Sequence, residues 1–165
     1  MATNKTYLGD ICCGIITKDF VDEGFERSVE SLIPKKNRGV KHRNVVMRYG
    51  NNYPYDNNIV SKVIPKEFDF LRDVTGFDFD SVTINEYLTG QIINWHIDKG
   101  ESDIFIISLL SDNHIRFRKR EMEIQTYIQR FSLFQMSDDL RLNWEHYLEA
   151  QNRRISVVLR KSEFA

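Results

Sequence analysis

From Phe77 onward, short runs rich in Ile, Val, Phe and Tyr recur at close intervals, and this texture restricts the fold more than any other feature of the chain. The runs cover residues 81–88, 91–97, 104–110, 114–119, 124–130, 131–136, 142–148 and 154–160. Thr-Gly, Lys-Gly, Ser-Asp-Asn and Ser-Asp-Asp separate them, all turn chemistry. Such a series of short strands reads as a sandwich or jelly roll. The expected class is α+β, mainly β: a double-stranded β-helix (jelly roll) with two N-terminal helices packed on one sheet. In the first helix Thr17 caps, and Val21, Phe25, Val29 and Leu32 form one apolar stripe that Pro34 ends. In the second, Pro65 suits the first turn, Phe68 and Leu71 face inward, and Gly76 stops it. Ile11 to Ile16 is apolar and suited to a strand. With no repeat or linker, residues 1–165 read as a single domain. Residues 1–76 form a helical, substrate-facing part and 77–161 the jelly-roll core.

Length and composition exclude several classes. A chain of 165 residues buries about 70% of its unfolded surface, so it needs neither metal nor disulfide to fold. An apolar fraction of 41% with 28% charged residues rules out a disordered tail and a membrane protein. The formal net charge of −1 gives no global field for a polyanion, so any such attraction must be local. Residues 35–48 offer it: Lys35, Lys36, Arg38, Lys41, Arg43 and Arg48 occur without one acidic residue, and a Tyr- and Asn-rich loop follows. Arg116, Arg118, Lys119 and Arg120 form a second basic group. Both groups read equally as solvated faces that balance the acidic residues. Cys12 and Cys13 are adjacent, so a bridge between them would be strained, and Met1 to Asp10 lacks the apolar stretch of a signal peptide. The expected compartment is the cytoplasm, with no membrane association.

Chemistry concentrates around Asn94-Trp95-His96-Ile97-Asp98. In an extended segment His96 and Asp98 share a face, where an imidazole and a carboxylate can take adjacent positions on one metal. Alone, His-x-Asp is common and serves equally as a surface pair. Of the other histidines, His146 lies in a β-like segment and His114 follows a turn, while His42 sits in the basic run. A distal imidazole would complete a two-His, one-carboxylate face with open positions, the donor set of non-haem Fe(II). His146 is the better candidate and His114 competes. Near the end, Arg154, Ser156, Val158 and Arg160 share one strand face. Arginine inside a sandwich is costly unless it meets an anion, and its planar fork matches a carboxylate. Without the histidines, a solvated edge strand would read the same.

Together these residues resemble the AlkB family of Fe(II)/2-oxoglutarate-dependent dioxygenases. The family pattern runs Asn-x-Tyr, Gly, His-x-Asp, a distal His and a terminal Arg pair. Here it reads Asn85-Glu86-Tyr87, Gly90, His96-Ile97-Asp98, His146, and Arg154 with Arg160. Ile107-Ser108-Leu109, Arg141-x-x-Trp144-x-His146 and the stretch from Arg48 to Tyr55 are also similar to the family. The likeness covers about residues 40–161. Two features depart from it: Lys99-Gly100 follows Asp98 where some DNA-repairing members place an acid, and His146 lies close to Arg154, so a tight hairpin is expected between their strands.

The resemblance implies Fe(II) on His96, Asp98 and His146, with 2-oxoglutarate and O2 as co-substrates. It implies that Asn85, Tyr87 and Arg160 hold 2-oxoglutarate, with Arg160 on the distal carboxylate. Ser156 and Arg154 would complete that wall, Arg154 toward the metal and primary substrate as part of the catalytic set. The implied substrate is a modified base of single-stranded DNA or RNA, tRNA included, which is hydroxylated or oxidatively demethylated. Arg48, Tyr53 and Tyr55 are candidate substrate contacts. The same chemistry on a protein side chain or small molecule, or a non-catalytic binding module, are the alternatives. A monomer is expected.

Overall fold

The structure is a computed structural model that describes residues 3–8, 11–35, 45–55 and 57–162, with 3–8 and 11–13 described by backbone alone. Its elements are β1 (Thr3–Leu8), β2 (Ile11–Thr17), α1 (Glu23–Leu32), β3 (Val45–Gly50), β4 (Ile59–Ser61), a 3-10 turn (Lys66–Phe68) and α2 (Phe70–Thr75). There follow β5 (Ser81–Tyr87), β6 (Ile92–His96), β7 (Ile104–Leu109), β8 (Asn113–Lys119), β9 (Met122–Ile128) and β10 (Leu133–Met136). The last three are α3 (Asp138–Asn143), β11 (Glu145–Glu149) and β12 (Arg154–Arg160). The strands form an eight-stranded sheet, ordered β1-β2-β10-β7-β12-β5-β3-β4, and a four-stranded sheet, ordered β6-β11-β8-β9. The architecture is mainly β. Among the described residues, no helix is long and apolar enough to cross a membrane.

Strand alternation divides the large sheet into two faces. Val82 and Ile84 of β5, Phe105, Ile107 and Leu109 of β7, and Ile155, Val157 and Leu159 of β12 turn to one side. There they bury with Phe25 and Val29 of α1 and with Phe68 and Leu71. Each such side chain contributes about 1.5–3 kcal/mol on burial. Tyr87, Ile104, Ile106 and Val158 turn to the other side and join Ile115, Phe117, Ile128 and Leu148 of the small sheet in a second core. The helices thus cover one face of the large sheet, and the small sheet covers the other.

Helix α1 is also tied down by charge. Buried Glu26 accepts from Arg130 on both oxygens and from the Leu110 N–H at 2.8 Å. One turn on, Glu30 pairs with Arg153 at 2.7 Å, and Arg153 also donates twice to buried Glu86 of β5. The cap is Asp22, whose carboxylate accepts from the Phe25 N–H at 2.9 Å, rather than the expected Thr17, which ends β2. Helix α2 stops at Gly76, as the sequence reading has it, with φ of 67°.

Three expectations need correction. The described part of residues 1–76 is not chiefly helical: it supplies β1 to β4, half of the large sheet's strands, so that part and the core share one sheet. The segment 142–148 is not one strand. Residues 138–143 are helical, with Asp138 and Asp139 in a first turn whose free N–H groups favour negative charge, and the strand begins at Glu145. No hairpin joins His146 to Arg154 either, because β11 pairs with β6 and β8 while β12 pairs with β5 and β7. The link crosses between sheets, held where the Ala150 N–H donates to the Gln91 carbonyl at 2.9 Å.

Candidate metal centre

His96 ends β6 and His146 is the second residue of β11, and the two are direct partners in the antiparallel register. Their rings lie 4.2 Å apart between centroids. The chain turns after β6 and brings Asp98 back beneath them, its Oδ1 3.3 Å from His96 Nε2 and its Oδ2 3.9 Å from His146 Nε2. One donor atom from each residue lies within 4.8 Å of the others. His114, the competing candidate, is exposed on the outer face of the small sheet, its ring 5.1 Å from Tyr127. His42 lies outside the described residues.

The electrostatics suit a cation. Burial pushes the His146 imidazole down to about 4, so it is neutral and keeps a lone pair to offer. Burial also acts downward on His96, but the hydrogen bond and charge of Asp98 outweigh it and raise its pKa. Its Nδ1 lies 2.7 Å from the Asn94 carbonyl, which only an N–H can satisfy, leaving Nε2 as the ligand nitrogen. Burial would raise the Asp98 carboxyl, yet Arg160 and the two imidazoles hold it well below the ordinary carboxylate value. The donors, two imidazoles and one carboxylate on one side of a partly open space, fit a divalent transition metal.

What holds Asp98 in place is a residue to which the sequence assigned no role. Arg141 of α3 is buried, and its guanidinium donates to the carbonyls of Asp98, Lys99, Gly100 and Ser102 at 2.9–3.0 Å. It closes the loop that carries the carboxylate. The only signal was its place in Arg141-x-x-Trp144-x-His146.

Asn85, Tyr87, His96, Asp98, His146, Arg154, Ser156 and Arg160 all line a single cavity between the sheets, completed by Ile93, Ile106, Ile115, Leu148 and Val158. Asn85 Nδ2 lies 3.4 Å from Ser156 Oγ, across a β5–β12 register pair. The two arginines occupy positions opposite to those expected. Arg160 reaches the metal cluster, its Nη2 3.4 Å from Asp98 Oδ2. Arg154 is 2% exposed, donates to Ser108 Oγ at 3.0 Å, and has its Cζ 5.8 Å from the centre of the Tyr87 ring. Six residues of extended strand separate them by about 20 Å of backbone. Burial lowers the pKa of Arg154, and the Nε atoms of both arginines are buried without a partner among the described residues.

Of the expected substrate contacts, Arg48 and Tyr55 reach the site and Tyr53 stands exposed beside it. Arg48 lies over the Tyr55 ring at 4.6 Å and donates to Thr83, which also accepts from Arg160. The Tyr55 hydroxyl lies 3.4 Å from Asp98 Oδ1. In the first basic run, residues 36–44 fall outside the described residues. In the second, Arg116, Arg118 and Lys119 pair with Glu123, Glu145 and Asp139.

The class these observations define is a two-sheet β protein with a facial His-Asp-His cluster between its sheets. No protein-family model matches the chain. It is similar to "tRNA (carboxymethyluridine(34)-5-O)-methyltransferase alkbh8" of Xenopus tropicalis, with 31% identity over 153 residues, covering 80% of this chain. The chain spans about a quarter of that relative, 24% of its length. It is also similar to the solved structure of OsALKBH1, with a TM-score of 0.67 and 13% identity, covering 90% of this chain and 97% of that one. The chain belongs to the AlkB-like family.

Proposed function

We propose that the chain is an Fe(II)/2-oxoglutarate-dependent dioxygenase that oxidises a base of a single-stranded nucleic acid, hydroxylating it or removing a methyl group. The observation that carries the reading is one cavity lined by a facial metal-ligand cluster and by a buried arginine that has no carboxylate partner among the described residues. A small dianion with a chelating end and a carboxylate end suits both. His96, Asp98 and His146 would hold the metal. Arg154, with Tyr87 and Ser108 beside it, would receive the distal carboxylate of 2-oxoglutarate. Asn85 and Ser156 would line its stem, and Arg160 would stand at the metal end with Asp98.

Bound iron and 2-oxoglutarate supply oxidation of an unactivated C–H bond by O2. The protein's own work is placement. Arg141 fixes the Asp98 loop, His96 presents Nε2 because Nδ1 is committed to Asn94, and Ile93, Ile106, Ile115, Leu148 and Val158 exclude water. Tyr55 and Arg48 stand at the mouth, where a flipped or unpaired base can stack. An RNA substrate draws support from the relative named as a tRNA enzyme.

The test begins with anaerobic titration of Fe(II) and 2-oxoglutarate, followed by turnover on alkylated oligonucleotides and tRNA. Stoichiometric binding of both, with succinate formed only in the presence of a nucleic acid, is the expected result. Binding of neither would make the chain a non-catalytic module. Turnover on peptides or small molecules alone would transfer the chemistry to another substrate class.

A further inference from the structure

A second cavity adjoins the metal cavity and shares Arg160 with it. Among the described residues its charged lining is cationic: Lys99, Arg160 and Lys161, with no carboxylate. Both lysines are placed by the metal site itself, since Lys99 follows Asp98 and Lys161 follows Arg160. Tyr55 stands between the cavities. Its hydroxyl accepts from the Lys99 N–H at 2.9 Å on one side and lies 3.4 Å from Asp98 on the other. The opposite wall is Asn51, Asn52 and Tyr53, on a loop whose entry requires glycine. Gly50 has φ of 84°, and a Cβ there would lie 2.2 Å from the Asp80 carbonyl.

Three described acids near this cavity, Asp98, Asp80 and Asp78, leave its charge standing. Asp98 is engaged by Arg160 and the histidines, and Asp80 accepts from the Ser162 N–H and hydroxyl. Asp78 lies 3.5 Å from Lys161 Nζ, but its side chain is 87% exposed, and a surface pair of that kind holds weakly. The Lys99 ammonium lies over the Tyr55 ring at 5.7 Å rather than on a carboxylate. Two ammonium groups on separate segments act as point charges, which suits the spread charge of a phosphate better than a planar carboxylate. In a chain of net charge −1, such a concentration of cations is a local feature.

We propose that this second cavity binds a backbone phosphate of the substrate strand, next to the nucleoside whose base enters the metal cavity. This rests on the nucleic-acid reading above. The shared Arg160 and the Tyr55 partition place base and phosphate side by side, so Lys99 and Lys161 set which nucleotide of the strand is presented to the metal.

The probe is a fluorescent single-stranded RNA decamer titrated with the metal- and 2-oxoglutarate-loaded protein, without oxygen, between 50 and 150 mM salt. Each phosphate contact on a single strand contributes about 0.7 to the slope of log affinity on log salt. The double variant Lys99→Gln/Lys161→Gln should therefore lose about 1.4 from that slope. Across this threefold salt range, wild type should lose about fivefold more affinity than the variant. A control, Lys18→Gln/Lys66→Gln, removes two exposed lysines elsewhere and should keep the wild-type slope. Equal slopes for wild type and the Lys99/Lys161 variant, or an equal loss in both double variants, would overturn the phosphate site while leaving the nucleic-acid reading standing. Failure of wild type to bind any RNA or DNA at 50 mM salt would remove that reading and this proposal with it.

Discussion

Replacing Arg154 by methionine should stabilise the protein in the absence of 2-oxoglutarate and abolish the stabilisation that 2-oxoglutarate provides. The guanidinium is 2% exposed and makes one hydrogen bond, to a hydroxyl, while its Nε is buried without a partner among the described residues. Burying an ion costs several kcal/mol, and a well-packed apolar residue in place of buried charge commonly stabilises by about 1–4 kcal/mol. For a domain of this size 1 kcal/mol moves the melting point by about 2–4 °C, so Arg154→Met should melt roughly 2–16 °C above wild type. Adding 2-oxoglutarate at about 100 times its dissociation constant contributes about 2.7 kcal/mol to wild type, a rise of roughly 5–11 °C. The variant should show none of it. Differential scanning calorimetry of the Fe(II)-loaded protein under nitrogen, with and without 2-oxoglutarate, reads both effects. Arg154→Leu run beside it guards against a single misfit side chain. If both variants melt below wild type without ligand, or either keeps the full ligand shift, Arg154 is not waiting for an anion.

His146→Ala should lower iron content, measured by elemental analysis after anaerobic loading, while His114→Ala should match wild type because its ring lies on the outer face against Tyr127. Arg141→Lys replaces a fork that serves four carbonyls with a single ammonium, and metal affinity by competition titration should fall about 10–100-fold; a change below twofold would show that the loop is held by other means. Burial acts to raise the Glu26 carboxyl, but Arg130 and the Leu110 N–H hold it below its ordinary 4.5. The unfolded chain therefore takes up a proton there first, so this stabilisation is full above about pH 4.5 and fades as the pH falls through the folded value. Glu26→Gln should flatten the dependence of urea stability on pH below 4.5, and an unchanged slope would count against the pair.

The parts of the fold that were legible are those in which local pattern and final environment agree. β12 alternates strictly because each of its faces meets a different core, and the same alternation exposed Arg154, Ser156 and Arg160 as one set. β4 was invisible because three residues carry no period. The end of α3, Leu142 and Asn143, was read as strand because Leu142 and Tyr147 fit one apolar run, which in fact starts in the last turn of a short helix. Arg141 could not be assigned from sequence because its acceptors are backbone carbonyls about 40 residues earlier, and a carbonyl has no side-chain signature. The order of the two arginines failed for a similar reason. Spacing fixes which face they share, but only the β5–β12 register and the loop after β6 fix which one meets Asp98.

Adjacent arginines make the strongest internal contrast in the molecule. Arg153 and Arg154 stand at the start of β12, one turned to each side of the large sheet. On the helix side, Arg153 is held by Glu30 and Glu86, and Arg130 nearby is held by Glu26. On that side the buried groups are the carboxylates of Glu26 and Glu86, and each meets a half-exposed guanidinium, so charge is matched there. On the cavity side, among the described residues, Arg154 meets a hydroxyl and an aromatic ring, and Arg160 shares with the histidines the carboxylate of Asp98. A fold that pairs its cations on one face and leaves them short of anions on the other concentrates unsatisfied polarity at one place, which is where a sequence departs from local consistency for function. Among the described residues Arg154 lacks a carboxylate partner, and under the proposed function that is the place a ligand's carboxylate would complete.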